Sequence, residues 1–257
     1  MAASPRRVIV TRPAQEAGRW VYALRRAGFD AVALPLIGID ALEDDRALLQ
    51  ARQRTDEFAA LMFVSAAAVT HFFMPGMALP AGQRFWSTGP GTARALRHAG
   101  VPESAIDMPP EAAGRFDSES LWACVRDQVH AGTRVLIVRG GDAAGRATGR
   151  DWLARTIEAA GGVVQVVVAY RRLAPVLDDA QRRLAADGAS GRDLWLFSSS
   201  EAVTHLVDAM PGQAWSAGRA LATHERIADA ARTAGFGRVR CCAPDLDALA
   251  ASIESFA

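Results

Sequence analysis

Two serines stand at equivalent places in the chain, each between a short apolar run and the start of a helical pattern. Ser65 lies in the segment Phe63–His71 and Ser199 lies in the similar segment Phe197–His205. A hydroxyl at such a place caps the helix, or it joins the free amides of the helix start in binding an anion such as a carboxylate. Capping is the simpler interpretation of one serine. Several such residues favour a ligand site, because the carboxyl ends of parallel strands meet at one sheet edge.

Other small or cationic residues occupy the same context, after an apolar run and before a helix. An arginine fork there matches a carboxylate with two parallel hydrogen bonds, whereas a surface salt bridge is its simpler interpretation. For a glycine, a tight turn is the simpler interpretation. The further candidates for binding an anionic ligand are Thr11, Arg12, Gly89, Thr92, Arg139, Ser198 and His224.

Tyr170 is one of only two tyrosines, and it follows the apolar run Val163–Val168. An amphipathic residue at a strand end is its simplest interpretation. His71 and His205 occupy matching positions in the two similar segments, and packing or a surface position is the favoured interpretation for both. No Ser–His–Asp order or paired acidic motif stands out.

Cofactor and metal chemistry have little support in the sequence. The glycines of Gly89–Gly91 and Gly140–Gly141 do not continue as G-x-G-x-x-G, and the chain contains no lysine for a phosphate loop. Cys124, Cys241 and Cys242 are three in number, and they show neither zinc-ligand spacing nor a disulfide framework. The residues therefore favour neither a metal site nor a nucleotide cofactor.

The overall composition limits the partners of the chain. Of its 257 residues 50% are hydrophobic, so a substantial core is expected, and the net charge of +1 argues against a general nucleic-acid binder. No apolar run approaches the roughly 20 residues of a membrane helix, and the first residues lack a signal pattern. We therefore expect a cytoplasmic protein without membrane association.

The elements that must position these residues alternate along the chain. Most predicted strands are apolar at consecutive positions, which is typical of parallel sheets covered on both faces. The predicted strands are Val8–Val10, Val32–Leu36, Leu61–Val64, Arg84–Ser87, Val135–Val138, Val163–Val168, Leu194–Phe197, Arg219–Ala222 and Val239–Cys241.

Helical spacing of apolar residues fills the gaps between these strands. One helix contains Ala17, Trp20, Val21 and Leu24 after Pro13, with Gly28 at its end; another contains Leu121, Trp122, Val125 and Val129, capped by Asp117 or Ser118; a last one contains Leu246, Leu249 and Ile253 after Pro244-Asp245.

The chain repeats itself, since the segments Phe63–His71 and Phe197–His205 start 134 residues apart and each is followed by a second small-residue unit. Two copies are too few for a solenoid, and they predict two related α/β halves. A cleft between two such halves is a common place for a small ligand.

The order of these segments resembles the uroporphyrinogen-III synthase family. The resemblance covers essentially the whole chain; each motif is weak by itself, and their order and spacing make it specific. The features that carry it are Val-Thr-Arg-Pro at Val10–Pro13, Phe-x-Ser at Phe63–Ser65 and Phe197–Ser199, a Gly…Thr-Ala helix start at Gly89–Ala93, an acidic-Ser-Glu stretch at Asp117–Leu121, Arg139–Gly140, Tyr170–Arg171, and Ala-Thr…Arg-Ile-Ala at Ala222–Ala228.

This resemblance implies an α/β fold of two lobes, each a parallel sheet flanked by helices, joined by a two-stranded connector. It places residues 1–36 and 173–257 in one lobe and 41–168 in the other, with the connector at 37–40 and 169–172. Periodicity does not show this exchange of segments, and a division near residue 132 fits the internal repeat equally well.

The resemblance also implies an activity: hydroxymethylbilane, a linear tetrapyrrole, closes to uroporphyrinogen III with loss of water and inversion of the last pyrrole ring, without a cofactor. Tyr170 would then assist departure of the hydroxyl group as a proton or hydrogen-bond donor. Ser65, Thr92 and Ser199, with neighbouring amides, would hold the carboxylates, and Arg12 and Arg139 are weaker candidates for that role.

Two other functions fit the residues. One is a two-lobe binder of an anionic small molecule that catalyses no reaction, and the other is a nucleotide-using transferase, which the missing phosphate loop disfavours. We expect a monomer. Whether the protein contacts hydroxymethylbilane synthase transiently is left open by the sequence.

Overall fold

A computed structural model describes residues 7–80, 82–110, 116–243 and 246–256 of the protein. The chain divides into two compact units: unit 1 comprises Met1–Gly38 and Leu173–Ala257, and unit 2 comprises Ile39–Arg172. A division near residue 132 is excluded, because strands on both sides of that point pair in the sheet of unit 2.

Strands and helices alternate through the described residues. The strands are β1 (Val8–Val10), β2 (Ala31–Ala33), β3 (Gly38–Asp40), β4 (Ala60–Phe63), β5 (Arg84–Ser87), β6 (Ile106–Asp107), β7 (Arg134–Gly141), β8 (Val163–Leu173), β9 (Leu194–Phe197), β10 (Arg219–Ala222) and β11 (Arg238–Cys241). The α-helices are α1 (Ala14–Arg26), α2 (Arg46–Gln53), α3 (Ala66–Phe72), α4 (Pro90–His98), α5 (Ser118–Val125), α6 (Trp152–Ala159), α7 (Asp179–Gly188), α8 (Ser200–Ala209), α9 (Glu225–Thr233) and α10 (Leu246–Glu254).

Unit 1 contains a five-stranded sheet in the order β11-β10-β9-β1-β2, whose pairs are parallel. The first strand of the chain thus lies inside the sheet, between β9 and β2. Helix α1 follows it and buries the four apolar residues that the spacing predicted. Gly28 ends this helix at φ +90°, a left-handed conformation that favours glycine.

Unit 2 contains a six-stranded sheet in the order β3-β8-β7-β4-β5-β6. Strand β4 lies between β7 and β5 and pairs with both in parallel. All four residues of β4 and seven of the eight in β7 are buried, as expected of parallel strands covered on both faces. Their side chains form separate apolar clusters, one around Phe63 and Phe72 and one around Trp86 and Ile157.

Strands β7 and β8 extend beyond their predicted ends at Val138 and Val168. Gly140 and Tyr170 therefore lie within strands, although both were predicted to follow them. Glycine usually favours a turn over a strand. At position 140 a close contact, described below, requires a glycine within the strand. Strand β2 ends at Ala33, earlier than predicted, although the amides of Leu34 and Leu36 still donate to carbonyls of Val10 and Thr11.

Some short elements differ from the prediction. Strand β6 was not predicted, since two residues are too few to show a pattern. Strand β3 lies within the segment 37–40 that the resemblance implied as part of the connector. Helix α5 ends at Val125, and a 3₁₀ turn at Arg126–Gln128 separates it from Val129. The predicted start of the last helix at Pro244-Asp245 lies outside the described residues. No helix within the described ranges is long and apolar enough to cross a membrane.

Candidate active site

Four predicted site residues precede helices that follow strands β4, β5, β9 and β10. Ser65, Gly89, Ser199 and His224 are the N-cap residues of α3, α4, α8 and α9, and each has an extended backbone with φ between −152° and −174°. An N-cap residue lies at the end of the helix where amide hydrogens are free and the partial charge is positive. In each unit, two such helix starts follow neighbouring strands, as predicted for a site that binds anions.

Ser65 and Tyr170 meet in unit 2. The Ser65 hydroxyl accepts a hydrogen bond from the amide of Ala68, and its oxygen lies 3.1 Å from the Tyr170 hydroxyl oxygen. These residues are 105 positions apart, and β7 lies between β4 and β8 in the sheet. The fold therefore joins the proposed catalytic tyrosine to one of the proposed ligand-binding serines.

The two hydroxyl groups carry two protons between them, and their mutual hydrogen bond uses one. Ser65 donates to Tyr170 or accepts from it, so in either direction one O–H remains for another acceptor. Tyr170 is only 5% exposed, and its ring belongs to the apolar cluster of unit 2. The pair is thus a fixed source of one hydrogen bond.

Gly140 allows the ring of Tyr170 to lie against β7. A Cβ atom at position 140 would lie 2.5 Å from Cζ of Tyr170 and 2.8 Å from its hydroxyl oxygen, closer than atoms pack. The pairing of β7 with β8 also shifts here, since Arg139 pairs with Val168 whereas Gly140 pairs with Tyr170. This irregularity gives β8 one extra residue, Ala169, and such a bulge redirects a side chain.

His71 lies beside the tyrosine, with ring centroids 5.6 Å apart and a tilt of 37° between the rings. Burial lowers the pKa of His71, Arg52 lowers it further, and Asp40 acts in the opposite direction. The imidazole ring of His71 thus packs on the tyrosine ring. The sequence identified this histidine only through the repeat, because its packing partner is remote along the chain.

Arg139 differs from the prediction in its position and its partner. It lies inside β7 and is only 8% exposed, and its Nη1 is 3.2 Å from Oδ1 of Asp151. Among the described residues its Nε has no hydrogen-bond partner. The fork predicted to meet a ligand is therefore buried and directed at a carboxylate of the chain itself.

The start of α4 is shaped by Ser87, which was not predicted as a site residue. Its hydroxyl donates to the carbonyl of Gly89 (2.8 Å) and accepts from the amide of Gly89 (3.2 Å). Thr92, in the first turn, is buried, contrary to the expectation that its hydroxyl faces a ligand. The signal for Ser87 was its place at the end of a predicted strand.

Thr11 and Arg12 follow β1 in unit 1. Thr11 is 1% exposed, and its hydroxyl donates to the carbonyl of Leu196 at 2.7 Å, so it links β1 to β9 and is not presented to solvent. Arg12 binds Glu16 at 2.8 Å, and its guanidinium carbon lies 4.3 Å from the Trp20 ring centroid. Stacking and an ion pair hold this arginine in place.

Ser198 and Ser199 follow β9, as predicted, and both are half-buried. The Ser199 hydroxyl accepts a hydrogen bond from the amide of Glu201 at 3.2 Å and caps α8. This contact is the counterpart of the Ser65 cap in unit 2. The interpretation of Ser65 and Ser199 as helix caps is confirmed.

His224 is exposed at the start of α9, and its Nδ1 accepts a hydrogen bond from the amide of Arg226 at 3.1 Å. This contact leaves the proton of the neutral ring on Nε2, which can donate to a carboxylate. Beside it, Cys241 donates its thiol hydrogen to Glu225. This bond and Arg232 lower the pKa of Glu225, while partial desolvation of the thiol and the carboxylate of Glu225 raise the pKa of Cys241 to about 11.

The three cysteines are thiols, and Cys124 and Cys241 are exposed rather than buried. Within the part of the chain that the structure describes, no group of three or more His, Cys, Asp or Glu side chains could hold a metal ion. In each unit, the candidate residues therefore offer hydroxyl, imidazole and amide donors at strand ends.

The chain is similar to a known family and to solved structures. A model of the family described as "Uroporphyrinogen-III synthase HemD" matches residues 18–251. A mutant uroporphyrinogen III synthase from the extremely thermophilic bacterium Thermus thermophilus is 18% identical, with 97% of this chain and 96% of that chain covered and a TM-score of 0.56. The enzyme from Helicobacter pylori is 14% identical, with coverages of 98% and 100% and a TM-score of 0.60.

At these identities the structural likeness shows the fold, and it confirms the predicted α/β architecture of two sheets flanked by helices. The family match extends over most of the chain. The chain belongs to the uroporphyrinogen-III synthase family.

Proposed function

We propose that Tyr170 and Ser65 act together on the hydroxyl group that leaves during ring closure. The protein is a lyase of tetrapyrrole biosynthesis that cyclises hydroxymethylbilane to uroporphyrinogen III, with loss of water and inversion of the last pyrrole ring. The hydrogen bond between Tyr170 and Ser65 carries the proposal, because it leaves one O–H free to donate to the departing oxygen.

The expected contribution of this pair is limited. A phenol has a pKa near 10, so it is a feeble acid at neutral pH and acts mainly by donating a hydrogen bond. General acids contribute about 10²–10⁴-fold, and we place Tyr170 at the lower end of that range or below it. Most of the catalysis must then come from holding the substrate in a geometry that favours inversion.

The substrate carries eight carboxylates on a flexible chain, and it cyclises spontaneously without inversion. Helix starts suit such a ligand, since free amides and partial positive charge stabilise carboxylates. We propose that Ser65, Ser199 and the Nε2–H of His224 hold substrate carboxylates, with neighbouring amides. Arg12 and Arg139 are bound to Glu16 and Asp151, which a substrate carboxylate would have to displace.

Substitution of Tyr170 by Phe tests the catalytic proposal, because it removes the hydroxyl and keeps the ring. Hydroxymethylbilane is supplied, the product is oxidised and the type I and type III isomers are separated. We expect formation of the type III isomer to slow by up to about 100-fold. Tyr22→Phe is the matched control, since the other tyrosine is 64% exposed on α1. Unchanged turnover of Tyr170→Phe removes the role.

We also propose that the enzyme acts in the cytoplasm as a monomer, apart from membranes and nucleic acid. The balanced charge and the partly exposed thiols support this, since a reducing compartment preserves such thiols. A transient contact with hydroxymethylbilane synthase would shorten the time in which the reactive substrate closes without inversion. Sedimentation of the enzyme alone tests whether it is a monomer, and sedimentation of its mixture with hydroxymethylbilane synthase tests the contact.

A further inference from the structure

The internal repeat contains a histidine in each copy, and neither has a role in the function proposed above. His71 lies on α3 and His205 on α8, each six positions after the serine that caps its helix. Both side chains are half-buried, and each contacts a segment that lies far away in sequence. One contact is a hydrogen bond to a backbone carbonyl and the other is a contact between two rings, but the two contacted residues lie at equivalent positions.

In unit 1, Nδ1 of His205 lies 2.7 Å from the carbonyl oxygen of Leu36. Because a carbonyl oxygen only accepts, the proton of this bond is on Nδ1. On its other side, Nε2 lies 4.0 Å from Glu201, and the imidazole is 14% exposed. Leu36 itself is fully buried, and it lies two residues before Gly38, where the chain leaves unit 1.

In unit 2, the ring of His71 packs against the ring of Tyr170. Tyr170 lies two residues before Arg172, where the chain leaves unit 2. Each histidine of the repeat therefore touches the residue two positions before the end of a segment, in the unit to which it belongs. General packing would give the two equivalent positions unrelated neighbours, whereas here their placement is the same.

We propose that His71 and His205 are positioning residues that tie each departing segment of the chain to the helix capped by a site serine. His205 fixes the backbone of Leu36 relative to α8 and Ser199. His71 fixes the ring of Tyr170 relative to α3 and Ser65, and this half of the inference rests on the role proposed for Tyr170.

Amide hydrogen exchange of the full-length enzyme tests the first contact. We expect His205→Ala to speed exchange in residues 34–40 by about 3–10-fold, the range for loss of one hydrogen bond. His205→Asn should restore slow exchange, because its amide N–H replaces that of Nδ1. His205→Gln places its N–H near the position of Nε2 instead, so its residues 34–40 should exchange as fast as those of His205→Ala. If His205→Ala does not fold, His205→Gln replaces it in this test.

Thr204→Ala is the matched control for this measurement. It removes an exposed hydroxyl from the same helix and should leave exchange in residues 34–40 unchanged. The inference is overturned if His205→Ala leaves exchange unchanged, if Thr204→Ala raises it equally, or if His205→Asn fails to restore it.

Kinetics test the second contact. We expect His71→Ala to lower kcat by about 3–10-fold with KM within twofold, and to cause no further loss when Tyr170 is already Phe, because it acts through that hydroxyl. His71→Phe should keep most of the activity, since its ring still packs on the tyrosine. Thr70→Ala is the control on the same helix.

The role of His71 is overturned if His71→Ala lowers kcat equally in the wild type and in Tyr170→Phe. It is also overturned if His71→Phe is as slow as His71→Ala. If Tyr170→Phe retains full turnover, the role proposed for Tyr170 fails. The exchange result for His205 then still decides the positioning role in unit 1, so the two failures are distinguishable.

Discussion

The ring of Tyr170 occupies space that a side chain on the neighbouring strand would otherwise fill. Gly140 leaves that space open, and the bulge at Ala169 brings Tyr170 into register with it. The hydroxyl then reaches Ser65 on the far side of β7. One glycine and one extra residue in a strand thus determine the geometry of the proposed catalytic pair.

We expect Gly140→Ala to destabilise the protein by about 1–3 kcal/mol, as overpacking does, because the tyrosine ring or the strand must move. Turnover should fall at least as far as in Tyr170→Phe. Urea unfolding and the isomer assay measure the two effects. Gly18→Ala is the control: nothing lies near its added Cβ in helix α1, so we expect a gain of about 0.5–1 kcal/mol. Normal activity of Gly140→Ala would contradict the assigned geometry.

For individual residues, the sequence predicts which ones lie at helix starts better than it predicts the contacts that they make. Ser65 and Ser199 were identifiable because a short apolar run followed by a helical pattern fixes where a cap must lie. The bond from Ser65 to Tyr170 was not, since it depends on a bulge and on strand register over 105 residues. The hydrogen-bond partners of Thr11 and Arg139 were not predictable for a related reason, since a sequence does not reveal which polar groups satisfy each other inside the fold.

Two helices of unit 1 have side-chain caps, and only one of the two capping residues is a candidate site residue. Ser199 caps α8 at the candidate site, whereas Asp178 caps α7 through a capping box with Gln181. Each cap satisfies an amide that the helix itself leaves free. The pair separates the structural role of a cap from a role in binding.

We expect Ser199→Ala and Asp178→Ala each to cost about 0.5–2 kcal/mol of stability, the usual effect of losing a cap. Only Ser199→Ala should also raise KM for hydroxymethylbilane, because only that hydroxyl is proposed to hold a substrate carboxylate. Thermal unfolding and steady-state kinetics give the two values. A similar rise of KM in both variants would assign the effect to stability.

Glu57 joins a 3₁₀ turn at Thr55–Glu57 to the start of β7. Its carboxylate accepts hydrogen bonds from Arg54 and Arg134, and these lower its pKa from 4.5 to about 2. The folded protein therefore binds fewer protons than the unfolded chain between those pH values. The stabilisation is complete above pH 4.5 and is lost as the pH falls toward 2.

Glu57→Gln should therefore unfold at a lower urea concentration than the wild type at about pH 6, and the difference should shrink at about pH 3. The effect is small, because the pair is near the surface. Asp127→Asn is the control, since that carboxylate is 94% exposed. A difference that grows on acidification would contradict the assignment.

Elements were predictable where burial imposes a pattern. The strands β1, β5, β9 and β10 have the predicted bounds, because consecutive buried positions need consecutive apolar residues. The ends of β7 and β8 were not predictable. They contain glycine, arginine and tyrosine residues whose place in a strand depends on neighbouring strands.

The two units differ in how the chain builds them. Unit 2 is one continuous segment, Ile39–Arg172, whereas unit 1 needs two segments. Without residues before Gly38, the sheet of unit 1 lacks β1, and β9 becomes an exposed edge.

We expect a fragment of residues 39–172 to show α/β circular dichroism and cooperative unfolding, since it contains all but the first residue of β3 and nearly all of β8. A fragment of residues 173–257 should remain largely unfolded, and a chain that joins 173–257 to 1–38 by a flexible linker should fold. Cooperative unfolding of 173–257 alone would show that β1 is dispensable for this sheet.

At the scale of the molecule, the internal repeat predicted two α/β halves but not which segments form each of them. The placement of the first strand came from the family resemblance, because pairing of Val10 with Leu196 leaves no periodic signal in the residues between them. Local patterns report burial, whereas the choice of partner strand depends on tertiary packing.

The central position of β1 also affects how the protein forms on the ribosome. At about 5–20 residues per second, synthesis of the roughly 186 residues between β1 and its partner in β9 takes about 10–40 s. Unit 2 emerges whole during that interval and has time to fold. Strand β1 lacks its partner β9 throughout this interval. In newly made protein this apolar strand must therefore be kept from non-native contacts until β9 has been synthesised.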